Sequence, residues 1–523
     1  MKKLIFTFFA IIAANVMFGQ VVINSDITAS TTWTANNVYE LKNFVYVTNG
    51  ATLTIEPGTV IMGDSATKGT LIVTRGSKLI ANGTKEKPIV FTTNQPAGSR
   101  VRGSWGGVVL LGKAKINVAG GETVVEGGLD PVKGLYGGSD DADNSGSLQY
   151  VRIEYAGIPF QPDQEINGLT LGGVGSGTTL DYVMVTESND DSYEWFGGTV
   201  NAKHMIANRG WDDDFDCDFG YTGKIQFGIV LRDPAIADQG SKSSSAFEHD
   251  NDGGGSTNIP QTAPIFSNIT VVGPMATNGS TINPNYVRAA QLRRNSATSI
   301  FNSAIVGYPT GIFIDGTASG QNAQNGLMGF KNNIVSASKA NFSSNSVFDI
   351  NTWALTPSYN NDSVINPTDI RLEDAYNYNN PNLAPSATSP LLGGSSFADS
   401  KLGGGFFTNT TYRGAIDPAD DWTGCWTKWN PQGELYNSAI KYSAAIAQGS
   451  ANANVRVVTF TNSSIGAQSY FWDFGDGNTS TDANPTHTYL IDGNYTVKLK
   501  ALSGCGNDST TINISVEIGR AHV

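Results

Sequence analysis

The sequence contains few of the residues that mark several common classes of protein. Its three cysteines, in 523 residues, cannot all pair and are too sparse for a disulfide scaffold. We therefore predict that Cys217, Cys425 and Cys505 are ordinary buried thiols. Charged residues make up only 15% of the chain, which argues against long solvated helices. The net charge of −13 argues against nucleic acid as a partner, because a polyanion would be repelled.

Apolar runs that could cross a membrane are absent after the first 20 residues. Residues 1–20 have two lysines, then an apolar run, then small and polar residues, which is the pattern of a secretory signal peptide. No later segment approaches the roughly 20 apolar residues that a spanning helix needs. No cysteine lies near Gln20 to carry a lipid. We therefore expect a protein that is secreted or lies on the outer cell surface, without a transmembrane segment.

Glycine, serine, threonine and asparagine are abundant, and part of the sequence repeats. Residues 190–198 (DDSYEWFGG) match residues 212–220 (DDDFDCDFG) at a spacing of 22, and the pattern returns at residues 246–252 (AFEHDND). A repeat of this length, in a chain with 60 glycines, is too short for a two-helix unit and is typical of a solenoid whose turns are strands. The predicted fold class is all-β, with a parallel β-helix.

The repeat also predicts which side chains are neighbours on successive turns. Two sets correspond: the aromatic residues Tyr193, Phe215 and Phe247, and the acids that follow them, Glu194, Asp216 and Glu248. Side chains alternate between the two sides of a strand. If the aromatic rings point into the core, the acids form a ladder on the outside.

Several segments resemble known families. Residues 103–112 (GSWGGVVLLG) and 412–432 (YRGAIDPADDWTGCWTKWNPQ) are similar to the opening turns and closing segment of right-handed parallel β-helix proteins that Gram-negative bacteria export, many by the type IX route. Residues 469–477 (SYFWDFGDG) and 493–501 (GNYTVKLKA) resemble the PKD domain, a small immunoglobulin-like β-sandwich. The resemblance implies a right-handed parallel β-helix over roughly residues 45–432, followed by one PKD domain.

We divide the chain into five parts on this basis. Residues 1–20 are the signal peptide, and residues 21–432 form the β-helix with an irregular C-terminal cap. Residues 433–454 are a connector, and residues 455–517 are the PKD domain. Residues 518–523 (IGRAHV) fit no domain, and we interpret them as a fused sequencing-adapter artefact.

Acidic residues are concentrated in the repeat. Residues 187–252 hold fourteen acids and five bases, which is −9 of the net charge. One interpretation is a solvated acidic face, because exposed carboxylates repel each other only modestly. The other is a Ca²⁺ site, because Ca²⁺ takes six to eight oxygen ligands and tolerates irregular geometry. The residues predicted to hold the ion are Glu194, Asp214, Asp216, Asp218, Glu248 and Asp250.

Two functions are compatible with these features. The first is non-catalytic binding or adhesion to extracellular glycan or another cell-surface component, with possible Ca²⁺ on the acidic ladder. The alternative is a Ca²⁺-dependent polysaccharide lyase or glycoside hydrolase. Arg209, Lys224 and Arg232 are near enough in sequence to serve as the base of a lyase, whereas a glycosidase would use aspartates as acid and base. The motifs that mark those enzymes are missing. The tryptophans Trp422, Trp426 and Trp429 either stack on sugars or pack inward.

Two further contacts follow from the spacing of the turns. Glu187 and Arg209 correspond at the 22-residue offset and are predicted to form an ion pair between turns. Asn268, Asn302 and Asn332 each lie near the start of a strand and are predicted to form an inward amide ladder, each donating to the next. Both features would align turns without doing chemistry.

Overall fold

The computed structural model describes residues 19–161, 164–239, 243–436, 446–452, 456–462, 464, 469–503 and 506–517. The predicted signal peptide, except its last two residues, lies outside the described residues. So do residues 518–523 and much of the predicted connector.

The first 385 residues are built mainly from short strands. They are β1 (Gly19–Ile23), β2 (Thr31–Trp33), β3 (Asn37–Leu41), β4 (Phe44–Val47), β5 (Thr52–Ile55), β6 (Val60–Gly63), β7 (Thr70–Val73), β8 (Lys78–Asn82), β9 (Ile89–Thr93), β10 (Gly107–Leu111), β11 (Glu122–Val124), β12 (Leu135–Gly137), β13 (Gly146–Glu154), β14 (Pro159–Gln161), β15 (Gln164–Glu165), β16 (Leu169–Val174), β17 (Thr179–Thr186), β18 (Tyr193–Gly198), β19 (Asn201–Asn208), β20 (Phe215–Asp218), β21 (Lys224–Leu231), β22 (Phe247–His249), β23 (Ile265–Val272), β24 (Arg288–Leu292), β25 (Ser299–Phe301), β26 (Ala304–Ile314), β27 (Phe330–Lys331), β28 (Ile334–Ser344), β29 (Asp362–Ser363), β30 (Leu372–Asp374) and β31 (Asn382–Pro385). Three antiparallel pairs, β11–β12, β14–β15 and β30–β31, stand apart. The other 25 strands form one sheet, whose pairings are parallel, so the predicted parallel β-helix is confirmed.

The sheet winds into three walls. The first strands of one wall are, in stacking order, β1, β3, β6 and β9. The first strands of a second wall are β2, β5 and β8. The long strand β13 pairs with both β8 and β9, so from there the first two walls are halves of single bent strands. The third wall stacks β4, β7, β10, β16, β18, β20, β22 and β24 and continues into the second half of β26.

The third wall follows the predicted register. Tyr193 pairs with Phe215, and Phe215 pairs with Phe247. The centroids of these rings are 5.6 and 5.8 Å apart, and all three side chains are buried in the main core. This spacing is slightly larger than the roughly 4.8 Å between neighbouring strands. Stacked apolar side chains therefore form one core that runs through the solenoid.

The corner between the first two walls is made by residues with left-handed backbone. Tyr150, Tyr182, His204 and Phe227 have φ between 49° and 64° and stack with ring centroids 4.3, 4.2 and 5.0 Å apart. His204 Nδ1 also lies 2.6 Å from Asp181 Oδ1. His204 therefore packs as one ring of an aromatic column.

The asparagines Asn268, Asn302 and Asn332 continue the same corner with φ of 57°, 53° and 60°. The predicted amide ladder is wrong. Asn268 Nδ2 donates to Thr410 Oγ1, and Asn302 Nδ2 donates to the Ser396 carbonyl. The left-handed conformation turns the amides of Asn268 and Asn302 toward a later segment of the chain, so they bind that segment. Asn332 Oδ1 accepts a hydrogen bond from Asn360 at 3.3 Å.

This later segment, residues 386–436, is called the closing segment below. It runs back along the outside of the solenoid. Trp422, Trp426 and Trp429 are buried against the corner rings, so the inward-packing interpretation is confirmed and the sugar-stacking alternative is wrong. Further back, Arg100 donates to the Pro431 carbonyl at 2.6 Å. Tyr436 donates to Glu154 Oε1 at 2.9 Å. The end of the solenoid is covered instead by helices α1 (Thr317–Gln324) and α2 (Ile350–Ala354), which add side chains to the main core.

The carboxyl-terminal strands form a separate β-sandwich. They are β32 (Ile446–Asn452), β33 (Val457–Asn462), β34 (Ser469–Asp473), β35 (Thr479–Ser480), β36 (Thr486–Thr488), β37 (Gly493–Ser503) and β38 (Gly506–Val516). They make a three-stranded and a four-stranded antiparallel sheet. The core includes Phe460, Trp472 and Leu499. This arrangement confirms the predicted immunoglobulin-like domain.

The cysteines differ from the prediction at one position. Cys217 is a free, buried thiol, as expected. Cys425 is disulfide-bonded, so its prediction as an ordinary thiol is wrong. Cys505 lies outside the described residues. Among the described helices, none is both long and apolar enough to cross a membrane.

Candidate metal centre on the third wall

The register of the third wall brings the acids of the repeat into one outward column. Glu194 pairs with Asp216, and Asp216 pairs with Glu248, each directly after an inward aromatic ring. The column begins at Thr170 on β16 and continues to Gln291 on β24. The predicted ladder of carboxylates is therefore present on the outer side of this wall.

A second acidic column lies just before the strands. The Asp213 amide donates to Asp191 Oδ1 at 2.8 Å, and the Ser245 amide donates to Asp213 Oδ1. Each carboxylate thus accepts a hydrogen bond from the equivalent position on the next turn. These bonds hold the bends before β18 and β20 in register and bring Asp190 and Asp191 beside Asp212.

The two columns meet in a cluster that could hold a cation. Ligand oxygens of Asp191, Glu194 and Asp216 lie within 4.8 Å of one another, and those of Asp190, Asp191 and Asp212 do the same. These five residues are called the acidic cluster below. Of the six predicted ligands it contains Glu194 and Asp216. Sequence reasoning missed the other three because it followed strand alternation, although the paired aspartates before both strands repeat at the same 22-residue spacing.

The acidic cluster is not a solvated face. Asp191 is 7% exposed and Glu194 is 8% exposed, which contradicts the solvated-face interpretation for these residues. Burial, followed by the charges of neighbouring carboxylates, raises the pKa of Asp190, Asp191, Glu194 and Asp216 well above the usual range. The folded protein therefore holds several carboxyl groups that are costly to ionise together.

Loops from earlier turns cover the cluster. Asn167, which is fully buried, donates from Nδ2 to a carboxylate oxygen of Glu194, while its own Oδ1 has no hydrogen-bond partner among the described residues. Glu126 hydrogen-bonds with Glu194 from the loop between β11 and β12. These groups add oxygen atoms to a site that is already rich in oxygen.

Two of the three remaining predicted ligands on this face, Glu248 and Asp250, are engaged by arginines. Arg293 contacts Glu248 and donates from Nε to Asp250 Oδ1 at 2.8 Å. Arg294 donates to Asp250 Oδ2 at 2.7 Å. Burial raises the pKa of Asp218 to about 8, and the nearby charge of Asp250 adds to the shift. Glu248 and Asp250 are therefore paired with arginines of the protein itself, although Glu248 directly follows Asp216 in the ladder.

The prediction that Asp214 shares this face is wrong. Strand β20 begins one residue later, and Asp214 Oδ2 lies 2.6 Å from Arg232 Nε, with both side chains fully buried. Arg232 also donates to the carbonyls of Gly210, Asp212 and Ser245. Arg232 thus anchors from below the same bends that carry the acidic cluster. Asp214 is its counter-ion.

The bases that a lyase would need are used elsewhere. Arg232 is paired with Asp214, and Arg209 lies 3.4 Å from Glu187 and 3.2 Å from Asp233. The predicted Glu187–Arg209 pair is thereby confirmed. The Lys224 ammonium donates to the Gly403 carbonyl in the closing segment. Within the described part of the chain, none of the three predicted bases contacts a carboxylate of the acidic cluster, and Arg232 reaches only the main-chain carbonyl of Asp212.

The donor set fits a hard cation. All ligand atoms are oxygens, which Ca²⁺ prefers, and a buried amide oxygen lies beside them without a partner. A cation would replace the protons that the raised pKa values require, because both relieve the repulsion between carboxylates. The residues present therefore suit Ca²⁺ better than a soft metal, which would need thiolate or imidazole ligands.

Family comparisons agree with the two-part architecture. A family model described as "Pectate-lyase like beta helix domain" matches residues 25–372, roughly two thirds of the chain. A PKD domain model matches residues 441–518.

Individual proteins match only short parts of the chain. Collagenase ColA of Bacillus cereus (strain ATCC 14579) is 56% identical over 41 residues, which are 8% of this chain and 4% of that protein. Collagenase ColQ1 of Bacillus cereus (strain Q1) is 47% identical over 49 residues, 9% of this chain and 5% of that protein. The chain therefore spans only a small fraction of these relatives.

Two solved structures of PKD domains also match only a small part of this chain. The PKD1 domain of the Vibrio cholerae metalloprotease PrtV is 33% identical and covers 14% of this chain and 94% of that one, with a TM-score of 0.13. The PKD1 domain of Vibrio anguillarum Epp is 27% identical and covers 15% and 94%, with a TM-score of 0.14.

Proposed function

The chain belongs to the pectate-lyase-like β-helix family, and from this membership we propose that it is an extracellular polysaccharide-binding protein that does not cleave its ligand. The PKD domain at the carboxyl end supports an extracellular location. Secretion through an amino-terminal signal peptide, and export by the type IX route, belong to the same proposal.

Calcium is the proposed ion of the acidic cluster. Asp191, Glu194 and Asp216 supply carboxylate oxygens, and the amide oxygen of Asn167 lies beside them. The ion would supply positive charge on the outer face of the third wall. These side chains would hold it between turns, and the covering loops would exclude water from it. In this role Ca²⁺ stiffens the third wall and offsets the charge that would repel an acidic polysaccharide.

The engagement of the candidate bases supports binding over catalysis. A lyase needs a base that reaches the proton next to the substrate carboxylate. Arg209 and Arg232 each have carboxylate partners, and Lys224 contacts the closing segment. The single observation that carries the proposal is that, among the described residues, no predicted base contacts a carboxylate of the oxygen-rich cluster.

A panel of neutral and acidic polysaccharides tests the proposal directly. We expect the purified chain to bind at least one acidic polysaccharide more tightly with Ca²⁺ than with chelator, and to release no products. Asp216→Asn should lose the calcium-dependent part of the binding. Asp420→Asn, a charge-matched change at an exposed residue of the closing segment, should not.

Product analysis separates binding from the enzymatic alternative. Unsaturated uronate ends would identify a calcium-dependent lyase, and new saturated reducing ends would identify a glycoside hydrolase. Either result would overturn the non-catalytic proposal. Failure to bind any member of the panel, with or without Ca²⁺, would overturn the polysaccharide proposal itself.

A further inference from the structure

The first wall of the solenoid has an unpaired strand edge at each end. It runs from β1 through β3, β6 and β9, continues through one half of each bent strand, and finishes at β29. Among the described residues, β1 pairs only with β3, and β29 pairs only with β28. Because all these pairings are parallel, the two end strands run in the same direction and present opposite edges of one sheet.

The free edge of β1 carries main-chain groups that can pair with another strand. The Lys42 amide donates to the Ile23 carbonyl, which therefore faces β3. Neighbouring residues of a strand direct their main-chain groups to opposite edges, so those of Gln20 and Val22 face away from β3. The Val22 side chain is exposed as well. An edge of this kind is a template for a further strand.

The free edge of β29 is similar. The Asp362 and Val364 amides donate to carbonyls of the preceding turn at 2.8 and 3.2 Å, so the main-chain groups of Ser363 face away from that turn. A charged side chain often protects an edge strand, but the Asp362 carboxylate is paired with Arg413 at 2.7 Å. The edge also borders an open groove of about 320 Å³, lined in part by Val364 and Ile365.

Apolar side chains are incompletely covered at both ends of the solenoid. At the amino end, Val21, Ile23 and Ile27 pack against the main core but are only partly buried. At the carboxyl end, Ile365 is 78% exposed, although it lies two residues after the last strand of the wall. Solenoids normally hide such surface behind terminal turns with a polar outer side. Both ends therefore keep apolar surface that a partner could cover.

The cap at the carboxyl end adds to this surface. Ile350 and Ala354 of α2 pack into the main core. Val347, just before the helix, is fully exposed, and Leu355, just after it, is exposed too. At the other end, the described residues before β13 contain no helix. A capped apolar end thus lies opposite an end whose core no described helix covers.

We propose that the two ends of the solenoid bind each other in neighbouring copies of this chain, with β1 of one copy paired in parallel with β29 of the next. A second copy shifted along the solenoid axis supplies a strand with the required direction and the complementary edge, so it extends the first wall without interruption. Different surfaces of the two copies meet at this interface, which therefore does not close and gives an open series of copies. The inference is independent of the proposed polysaccharide binding.

Sedimentation velocity of the purified chain over an about hundredfold range of concentration measures the association. We expect a series of species that grows with concentration. Ile365→Lys places a charge at the junction and should weaken the association by about tenfold or more. Val132→Lys, a matched change at an apolar residue that is 75% exposed in another part of the chain, should have no effect. The melting temperature of each variant checks that it is folded.

Cysteine cross-linking tests which ends meet. Val22→Cys and Val364→Cys place thiols at the two free edges, and a short bismaleimide joins two thiols by adding each to one of its double bonds. We expect a mixture of the two variants to give covalent dimers in much higher yield than either variant alone. The wild type, treated in the same way, measures the background from its native cysteines.

The possible results are distinct. A wild type that stays monomeric over the whole range would overturn the proposal, and so would association that folded Ile365→Lys leaves unchanged. A dimer that does not grow would indicate a closed, self-complementary interface and would also overturn it. Cross-linking of Val22→Cys mainly with itself would show that two amino ends meet, which contradicts the parallel pairing of β1 with β29.

Discussion

Replacing one carboxylate of the acidic cluster should stabilise the protein without calcium and destabilise it, relative to wild type, with calcium. The ligand oxygens of Asp191, Glu194 and Asp216 lie within 4.8 Å of one another. Two full charges at that separation repel by about 3.5 kcal/mol at an effective dielectric near 20. Asp216→Asn removes one member of two such pairs and keeps the size of the side chain. In chelator near pH 8, we expect its melting temperature to rise by on the order of 5 °C.

The size of this effect should depend on pH in a definite direction. Burial raises the pKa of Asp218 from 3.8 to about 8 and that of Glu248 from 4.5 to about 7. Between about pH 4 and pH 8 the folded chain therefore keeps protons that the unfolded chain has lost, and these groups contribute less stability as pH rises. The advantage of Asp216→Asn should be largest near pH 8, should shrink as pH falls, and should vanish below about pH 3, where the carboxyls are protonated in both states.

Calcium should reverse the order of the two proteins. A ligand at 100 times its dissociation constant stabilises the folded state by about 2.7 kcal/mol, and the variant has lost a ligand. Differential scanning calorimetry with Asp420→Asn as the charge-matched control measures both conditions. The reasoning is refuted if Asp216→Asn melts below wild type in chelator near pH 8, or if calcium raises both melting temperatures equally.

Two other contacts give predictions of similar size. Arg232→Met removes the counter-ion of fully buried Asp214 and three bonds to carbonyls. This substitution should lower the free energy of unfolding by about 3 to 5 kcal/mol, which is measured as a lower melting temperature. A melting temperature equal to that of the wild type would argue against the anchoring role. Trp426→Ala removes a fully buried ring from the closing segment, and should cost about 3 to 5 kcal/mol locally. Limited proteolysis should then cut the closing segment faster, whereas an unchanged rate would show that other contacts hold it.

The vertical order of the third wall was predictable because a fixed repeat sets which residues are neighbours. The 22-residue offset between Tyr193 and Phe215 places one above the other, and the longer excursion before Phe247 does not disturb the register. Alternation along a strand then puts Glu194 and Asp216 outside. Local periodicity was sufficient for this part of the fold and of the site.

Contacts across hundreds of residues were not predictable in the same way. Tyr436 donates to Glu154, 282 positions earlier, and the cover over the acidic cluster comes from loops of earlier turns. Repeat spacing carries no information about where such segments lie. For this reason the sequence left the solvated-face interpretation open, although Glu194 is covered.

Strand alternation also failed to predict where side chains point at two bends, the one before β20 and the corner that contains Asn268 and Asn302. Asp214 precedes its strand and meets Arg232, which lies on another wall, so strand alternation does not apply to it. Asn268 and Asn302 adopt left-handed conformations that direct their amides to the closing segment. Asparagine tolerates this conformation well, so the same residues that suggested an inward ladder also suit an outward corner.

Calcium titration of the chelated protein near pH 7.5, by calorimetry in two buffers of different ionisation enthalpy, tests the central claim most directly. We predict saturable binding with release of protons, because carboxyls with raised pKa values must ionise to coordinate the ion. Asp191→Asn should abolish it, since Asp191 belongs to both groups of ligands. Absence of binding by the wild type, or binding that Asp191→Asn leaves intact, would contradict the assignment of the acidic cluster as a calcium site.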